Sequence, residues 1–272
     1  VNSVLPGQGW ASFEMALIST ETKNAVLKKM ARALIRKKAY LRRENHKDLL
    51  AAQKQGLAKA LIDRLTLNDK RIESMARYLL DMVSLNDPVG EVLRTIKRPN
   101  GLLIKKVRVP IGVVGIIYES RPNVTSDCVG LCLKSGNAVI LKGGKEANHS
   151  NLAIYKVLKR VLRISLLPKD SVQMVSSTDR AAVNVLLQQD SCVDLIVPRG
   201  GEDLIRFVAQ HSRIPVVKHY KGVCHVYVSA HADLEMARKI CFNAKVQRPG
   251  VCNAMETLLV DEHVAKTFLP TV

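Results

Sequence analysis

Apolar residues recur at helical spacing through the first third of the chain. A segment over 21–43 has the period of about 3.6 residues that is typical of an amphipathic helix, and Thr20 or Thr22 can cap its start. The apolar positions of this helix are Val26, Leu27, Met30, Leu34 and Tyr40. Further helices are predicted over 45–55, 59–64 and 68–83.

Two strand patterns and an apolar run follow. Strands are predicted over 92–98 and 102–109, joined by Pro99-Asn100-Gly101, which is typical of a hairpin turn. The next segment, 111–118, is apolar without alternation. This pattern indicates a strand that is covered on both faces, as strands in parallel sheets are.

Helical and strand patterns alternate in the remainder of the chain. Helices are predicted over 124–133, 148–162, 180–188, 202–210 and 233–244. Strands are predicted over 138–142, 171–175, 193–197, 216–217 and 224–228, and one more strand and helix after residue 253. This β-α-β-α order predicts an α/β fold with a doubly wound parallel sheet and right-handed crossovers.

The composition limits the classes of function. The 272 residues carry a net charge of +18, which attracts polyanions such as nucleic acid or a phosphate-bearing cofactor or substrate. The basic residues lie among apolar ones at helical spacing, as on solvated helix faces, and aromatic residues make up only 4%. The scarcity of aromatic residues argues against single-stranded nucleic acid, whose binding depends on stacking.

Other composition signals concern location and metals. No apolar run has the length of a membrane span, no secretory signal precedes the first helix, and six cysteines form no regular disulfide framework. We therefore expect a cytoplasmic protein. No set of Cys and His residues has zinc spacing, so no metal site is expected.

Two glycine-rich turns join predicted strands to helices. They are Lys142-Gly143-Gly144-Lys145 and Arg199-Gly200-Gly201. Ligands of doubly wound sheets bind at the carboxyl ends of the strands, where glycine allows close approach and a helix N-terminus favours an anion. The turns predict a dinucleotide site, with Lys142 and Lys145 at a ribose or its 2′-phosphate. The alternative is ordinary β–α turns with solvated lysines, because neither turn is a GxGxxG or P-loop motif.

The segment Glu119-Ser120-Arg121-Pro122-Asn123 follows the apolar strand over 111–118. The guanidinium group of Arg121 can hold a phosphate or a carboxylate in a fork. The side-chain amide of Asn123 can donate to a developing oxyanion. Asn123 can instead cap the following helix, and the spacing alone favours this second interpretation.

The segment Gln247-Arg248-Pro249-Gly250-Val251-Cys252-Asn253 is the most informative for chemistry. Cys252 follows a Pro-Gly turn, directly before an apolar strand. Lys245 and Arg248 favour the reactive thiolate form, which makes Cys252 a candidate nucleophile. A buried, inert cysteine is the alternative that composition alone favours. Cys128 and Cys132, four residues apart on one predicted helix, are assigned to the core.

Five segments, taken together and in order, closely resemble the gamma-glutamyl phosphate reductase family of the aldehyde dehydrogenase superfamily. The resemblance runs from about residue 20 to the last residue. Several long motifs in the same order make it specific. They are Tyr118-Glu-Ser-Arg-Pro-Asn-Val-Thr125, Gly136-Asn-Ala-Val-Ile-Leu-Lys-Gly-Gly-Lys145, Ile196-Val-Pro-Arg-Gly-Gly201, Gly222-Val-Cys-His-Val-Tyr-Val228 and Asn243-Ala-Lys-Val-Gln-Arg-Pro-Gly-Val-Cys-Asn253.

The resemblance implies a reaction of proline biosynthesis, in which NADPH reduces L-glutamyl 5-phosphate to L-glutamate 5-semialdehyde and phosphate is released. Cys252 matches the family's nucleophile. Asn123 matches the oxyanion amide, so this interpretation now replaces the helix cap. Lys142 matches the residue at the adenosine ribose, and Lys145 stands near a position where NAD-preferring relatives often carry an acid. Contacts to the substrate phosphate or carboxylate are assigned to Arg121, Lys245 and Arg248.

A missing carboxylate agrees with this reaction. Hydrolytic relatives place a glutamate that activates water on the thioester, whereas the matching segment here is Lys218-His219-Tyr220-Lys221-Gly222. The absence of a water-activating base fits phosphate release followed by reduction. His219 is therefore assigned a structural role or a substrate contact.

The resemblance also predicts the domain organisation. We expect an NADP-binding domain with N-terminal helices over 1–244 and the beginning of a catalytic domain over 245–272. The family's chain continues well past the cysteine, so we expect a fragment of a longer product, for which a homo-oligomer is one option. Two alternatives stay open: another acylating aldehyde dehydrogenase, for example one using a CoA thioester, and a catalytically incomplete module that binds cofactor or nucleic acid.

Overall fold

A computed structural model describes residues 8–218, 222–249 and 251–272 of the chain, without the side chain of Gln8. The chain forms two compact units, Val1–Lys218 and His219–Val272. Three predictions lie outside the described residues: the absence of a secretory signal at 1–7, the role of His219 and the turn at Gly250.

Five helices precede the sheet. The first of them was not predicted from the sequence, and the boundary between the second and third differs from the prediction. The helix predicted over 21–43 ends at Arg36, and the next begins at Lys38. The side chain of Ser19, rather than Thr20 or Thr22, caps this helix by accepting a hydrogen bond from the Thr22 N–H. The five helices are α1 (Gln8–Ala16), α2 (Thr20–Arg36), α3 (Lys38–Lys54), α4 (Lys59–Leu65) and α5 (Asp69–Ser84).

The break at Lys37 has a packing reason. A single straight helix with the residues of α2 and α3 would be about 50 Å long, which exceeds the diameter of a small domain. Leu34 of α2 and Leu41 of α3, on either side of the break, are both fully buried in one apolar cluster. No proline or glycine marks this turn in the sequence.

The predicted hairpin is confirmed. Strands β1 (Val92–Lys97) and β2 (Leu103–Val107) pair in antiparallel fashion. In the turn between them, Gly101 has φ of +87°, a left-handed conformation that glycine adopts without steric cost.

The predicted doubly wound parallel sheet is confirmed as well. Its order is β5-β4-β3-β6, with all pairs parallel, and all six residues of β3 are buried. Val216 adds a single parallel bridge to Ile196 in place of the strand predicted over 216–217. The strands are β3 (Val113–Tyr118), β4 (Ala138–Gly143), β5 (Val172–Met174) and β6 (Leu195–Arg199).

Helices cover both faces of this sheet. One apolar cluster joins a sheet face to α2, α5 and the helices over 123–134 and 148–163. A second cluster covers the other face with the helices over 181–187 and 202–211. Cys132 is buried in the first cluster and Cys128 packs against it, which confirms their assignment to the core. The later helices are α6 (Asn123–Lys134), α7 (Asn148–Arg163), α8 (Ala181–Leu187) and α9 (Glu202–His211).

Helix α7, which follows the first glycine-rich turn, begins against a carboxylate from α3. Asp48 accepts hydrogen bonds from the His149 N–H at 3.1 Å, the Ser150 N–H at 2.8 Å and the Ser150 hydroxyl. Burial raises the pKa of Asp48, although the hydrogen bonds from Ser150 and His149 oppose this shift. These bonds satisfy amides at the start of α7 and so hold the preceding turn on the sheet edge.

The second unit has its own small core. Strands β7 (His225–Val228) and β8 (Thr257–Val260) pair in parallel, and helices α10 (Leu234–Val246) and α11 (Glu262–Phe268) follow them in sequence. The buried residues of this core are Val228, Ala237, Cys241, Met255 and Phe268.

The units divide after Lys218, whereas the predicted domain boundary lies at 244/245. The assignment of cofactor binding and catalysis to two domains stays a prediction. Within the ranges that the structure describes, no helix has the length and apolar character that a membrane crossing requires.

Candidate active site

Three loops meet at the carboxyl edge of the parallel sheet. The strand register places Tyr118, the last residue of β3, beside Gly143 on one side and Arg199 on the other. The segment over 119–123 therefore lies between the two glycine-rich turns. Sequence order and parallel pairing thus bring together three of the predicted site segments.

Two carboxylates tie these loops to one another. Glu119 accepts a hydrogen bond from the Gly201 N–H at 2.8 Å. Glu146 accepts from the Ser120 N–H at 2.6 Å and from its hydroxyl at 3.0 Å. Ser120 has φ of +45°, an uncommon left-handed conformation for a residue other than glycine. The sequence analysis did not assign a role to either glutamate.

These carboxylates explain two of the glycines. A Cβ on Gly200 would lie 2.4 Å from an oxygen of Glu119, and a Cβ on Gly144 would lie 2.3 Å from an oxygen of Glu146. At Gly201, a Cβ would meet only an oxygen of Glu119 at 3.8 Å. Space beside the Gly201 backbone is therefore open to a ligand.

The two predicted cofactor lysines have different surroundings. Lys142 is 5% exposed and donates to the Gly143 carbonyl at 2.9 Å. Burial lowers the pKa of Lys142, against the opposing effect of Glu146 and Asp179. Lys145 is exposed and lines a cavity of about 280 Å³. Other residues of this cavity are Gln55, His149 and Thr178.

Asn123 is the first residue of α6, and its side chain makes no helix cap. Its amide nitrogen instead donates to a carboxylate oxygen of Asp127 at 2.8 Å. Asp127 is half-buried, and burial raises its pKa despite hydrogen bonds from Asn123 and Ser126. Asp127 was not among the residues predicted from the sequence, although an amide and an acid four residues apart on a helix are a recognised pair.

The cations assigned to the substrate lie on different elements. Arg121 is half-buried in the turn before α6, where its carbonyl accepts from the Val124 N–H at 3.1 Å. In the second unit, Arg248 is exposed just beyond α10. The ammonium group of Lys245 donates to the Met255 carbonyl at 3.1 Å and so links α10 to the segment after the cysteine.

Cys252 is exposed in the segment before β8, so the alternative of a buried cysteine is wrong. The thiol of Cys224 donates to the Cys252 carbonyl at 3.3 Å. The Cys224 carbonyl in turn accepts from the N–H groups of Glu256 and Thr257. Cys224, which had no predicted role, therefore holds the backbone of Cys252 in place. The function of Cys252 as the nucleophile stays a prediction.

Comparison with known proteins agrees with the resemblance found in the sequence. The pattern of the aldehyde dehydrogenase family matches residues 10–272. A gamma-glutamyl phosphate reductase from Geobacter metallireducens is 54% identical over 262 residues, which are 96% of this chain and 63% of that protein. One from Thermodesulfovibrio yellowstonii is 54% identical over 95% of this chain and 62% of its own length. The chain thus spans about 63% of the length of these curated relatives.

Solved structures show the same relationship. The crystal structure of a gamma-glutamyl phosphate reductase from Thermotoga maritima has a TM-score of 0.89 and 42% identity, over 97% of this chain and 64% of that chain. The enzyme of that name from Saccharomyces cerevisiae has a TM-score of 0.75 and 34% identity, over 97% of this chain and 66% of that one. An acetylating aldehyde dehydrogenase from Geobacillus thermoglucosidasius, with a TM-score of 0.70 over 99% of this chain and 57% of that one, is 16% identical and shows the fold alone.

Proposed function

This chain belongs to the aldehyde dehydrogenase family, and on that basis we propose that it takes part in the NADPH-dependent reduction of L-glutamyl 5-phosphate to L-glutamate 5-semialdehyde, with release of phosphate. The 54% identity to gamma-glutamyl phosphate reductases is the observation that carries this proposal. We place the reaction in proline biosynthesis, as the resemblance implies.

The carboxyl edge of the parallel sheet fits a dinucleotide. Two glycine-rich turns flank the end of β3, and the Gly201 backbone leaves room for the close approach of a ligand. Lys142 and Lys145 supply positive charge beside the other turn. We assign the cofactor's ribose to Lys142 and its 2′-phosphate to Lys145.

Cys252 begins the chemistry in the proposed mechanism. Its sulfur attacks the acyl carbon of the substrate, the bond from this carbon to the phosphate oxygen breaks, and phosphate leaves with the bonding electrons. The Asn123 amide and the Cys252 N–H stabilise the oxyanion of the tetrahedral intermediate. Asn123 has two amide hydrogens, and Asp127 accepts one of them, which leaves the other for the oxyanion.

The second half of the reaction releases the aldehyde. NADPH, when bound, supplies the hydride that reduces the thioester. The alkoxide oxygen of the resulting thiohemiacetal then re-forms the carbonyl as the carbon–sulfur bond breaks, and the bonding electrons return to the Cys252 thiolate. The oxyanion donors act again on the oxygen of this second tetrahedral species.

The reverse reaction tests the proposal directly. We expect the protein to form NADPH from NADP⁺ and glutamate 5-semialdehyde only when inorganic phosphate is present. NADPH formation that requires CoA instead of phosphate would indicate a different acylating aldehyde dehydrogenase. Retained NADPH binding without either reaction would identify an incomplete cofactor-binding module.

We expect Lys145→Glu to shift the cofactor preference from NADP⁺ toward NAD⁺ by at least about tenfold. The substitution removes an attraction to the 2′-phosphate and places a like charge beside it. The measurement is kcat/KM for each cofactor at saturating aldehyde and phosphate. Lys169→Glu is the matched control. Lys169 is also exposed, but it precedes β5 and so lies at the amino ends of the parallel strands, away from Lys145. An unchanged ratio in Lys145→Glu would remove this lysine from the cofactor site.

A further inference from the structure

The contacts assigned to the substrate leave one of its groups unmatched. L-glutamyl 5-phosphate carries a phosphate, a carboxylate and an α-ammonium group. Arg121, Lys245 and Arg248 are all cations and therefore complement only the two anionic groups. An ammonium group taken from water into a site without a counter-charge is strongly disfavoured. A site for this substrate therefore needs a carboxylate.

Asp127 supplies a carboxylate beside the group that holds the reacting carbonyl. It lies on the first turns of α6, and one of its oxygens accepts from the Asn123 amide at 2.8 Å. The other oxygen accepts a longer bond of 3.3 Å from the Ser126 hydroxyl. Neither donor is charged, so among the described residues Asp127 has no ion-pair partner.

Asp127 also retains capacity to bind a cation. A carboxylate has about four acceptor sites, of which these two hydrogen bonds use two. Its half-buried position strengthens an ion pair relative to one on the surface. Burial raises the pKa of Asp127, and a bound ammonium group would favour the ionised form.

Glu119 and Glu146, the two acids that tie the three loops together, are already committed to backbone amides. Glu119 accepts from the Gly201 N–H and Glu146 from the Ser120 N–H. If either glutamate turned to bind a substrate, it would break its hydrogen bond and leave a backbone N–H without its acceptor. Asp127, whose partners are side chains alone, carries no such cost.

The length of the substrate fits this arrangement. Four bonds separate the acyl carbon from the ammonium nitrogen, which corresponds to about 5 Å in an extended chain. Asp127 lies one hydrogen bond beyond the amide that is assigned to the acyl oxygen. An extended substrate whose acyl oxygen accepts from Asn123 is therefore long enough for its ammonium group to reach Asp127.

Resting on the proposed function, we propose that Asp127 binds the α-ammonium group of the substrate and selects 2-amino acyl substrates over their deaminated analogues. The test compares glutamate 5-semialdehyde with 5-oxopentanoate, which lacks the amino group, in phosphate-dependent NADP⁺ reduction. We expect the wild type to prefer the amino aldehyde and Asp127→Asn to lose at least about tenfold of this preference, the usual effect of a hydrogen bond to a charged group. Asparagine keeps an acceptor for the Asn123 amide.

A second measurement needs no turnover. Alkylation of Cys252 by iodoacetamide is followed in the presence of L-glutamate or of glutarate. Glutamate should protect the thiol better than glutarate in the wild type, and the difference should disappear in Asp127→Asn. Glu73→Gln is the matched control, because it removes a carboxylate from the surface pair with Lys38 and should keep both preferences.

The outcomes separate this inference from the proposed reaction. Selective protection by glutamate that is lost in Asp127→Asn, without turnover of either aldehyde, would reject the reaction and keep the ammonium site. An equal loss of turnover on both aldehydes would make Asp127 a positioning residue for Asn123 and overturn the proposal. Equal protection of Cys252 by glutamate and glutarate in the wild type would also overturn the proposal, whether or not the wild type turns over either aldehyde.

Discussion

Replacing Cys252 by alanine should lower kcat/KM for phosphate-dependent aldehyde oxidation by at least about 10³-fold, while NADPH binding is retained. In the proposed mechanism a thioester carries the acyl group between the two half-reactions, and alanine has no atom that can form it. Because Cys252 is exposed, its loss should leave no cavity and change stability little. The measurements are steady-state kinetics, NADPH titration and a thermal melt.

The control for this variant is a second thiol away from the proposed chemistry. Cys192 is half-buried after α8, in the first unit, and Cys192→Ala should keep its kinetics near those of the wild type. Cys224 is unsuitable as a control because its thiol holds the Cys252 carbonyl. A Cys252→Ala protein that kept more than about a tenth of the wild-type kcat/KM would exclude the thioester mechanism.

Local patterns predict the elements of this fold well, because each pattern records which face of an element is buried. The uninterrupted apolar run of β3 indicated a strand with two covered faces, and all six of its residues are buried. The turn over 99–101 needed only local backbone preferences. The break between α2 and α3 was not predictable in this way, because the residues around Lys37 are good helix formers and no proline or glycine marks the break.

The placement of the candidate site residues was predictable where adjacent parallel strands carry them to the same end of the sheet. Parallel strand order was enough to bring both glycine-rich turns to one edge. The bonds of Glu119 to Gly201 and of Glu146 to Ser120 depend on strand register and side-chain direction, which no local pattern contains. The pairing of Asn123 with Asp127 is different, since the i, i+4 spacing on a helix gave a signal.

At Asn123 and Cys252, sequence spacing and composition favoured alternatives that the structure contradicts. Spacing alone favoured a helix cap for Asn123, yet Asp127 competes for its side chain and Pro122 takes the cap position. Composition favoured burial for Cys252, because cysteine is among the most buried residue types. The turn in which Cys252 lies instead exposes it. For Asn123 a side-chain contact decides between the alternatives, and for Cys252 the local turn decides; residue frequencies include neither.

Of the variants proposed for this chain, Lys23→Met, which removes the cation of a buried ion pair, should lose the most stability. Lys23 of α2 is 1% exposed, and its ammonium group lies 2.8 Å from Asp87, which is 9% exposed. Asp87 also accepts hydrogen bonds from Thr20 and the Val89 N–H. In Lys23→Met the apolar stem is kept and the carboxylate stays buried without its ion pair, so we expect unfolding to be easier by about 3 kcal/mol. The melting temperature should fall by about 6–12 °C.

The pH dependence of this loss distinguishes charge from packing. Burial raises the pKa of Asp87, but the hydrogen bonds from Lys23, Val89 and Thr20 outweigh it, so its pKa is lowered in the folded protein. A lowered carboxyl pKa contributes stability that is present above the unfolded pKa of about 3.9 and is lost as the pH falls through the folded pKa. The difference in melting temperature between wild type and Lys23→Met should therefore be largest near pH 7 and shrink as the pH falls below about 4.

Two further variants separate the charge of Lys23 from the packing of its side chain. Asp87→Asn in the Lys23→Met background removes the unpaired charge but keeps an acceptor for the Val89 N–H, so it should recover most of the lost stability. Lys38→Met breaks the exposed pair with Glu73 and should change stability by less than about 1 kcal/mol. A loss in Lys23→Met that neither depends on pH nor recovers in the double variant would mean that Lys23 acts through its buried stem rather than through its charge.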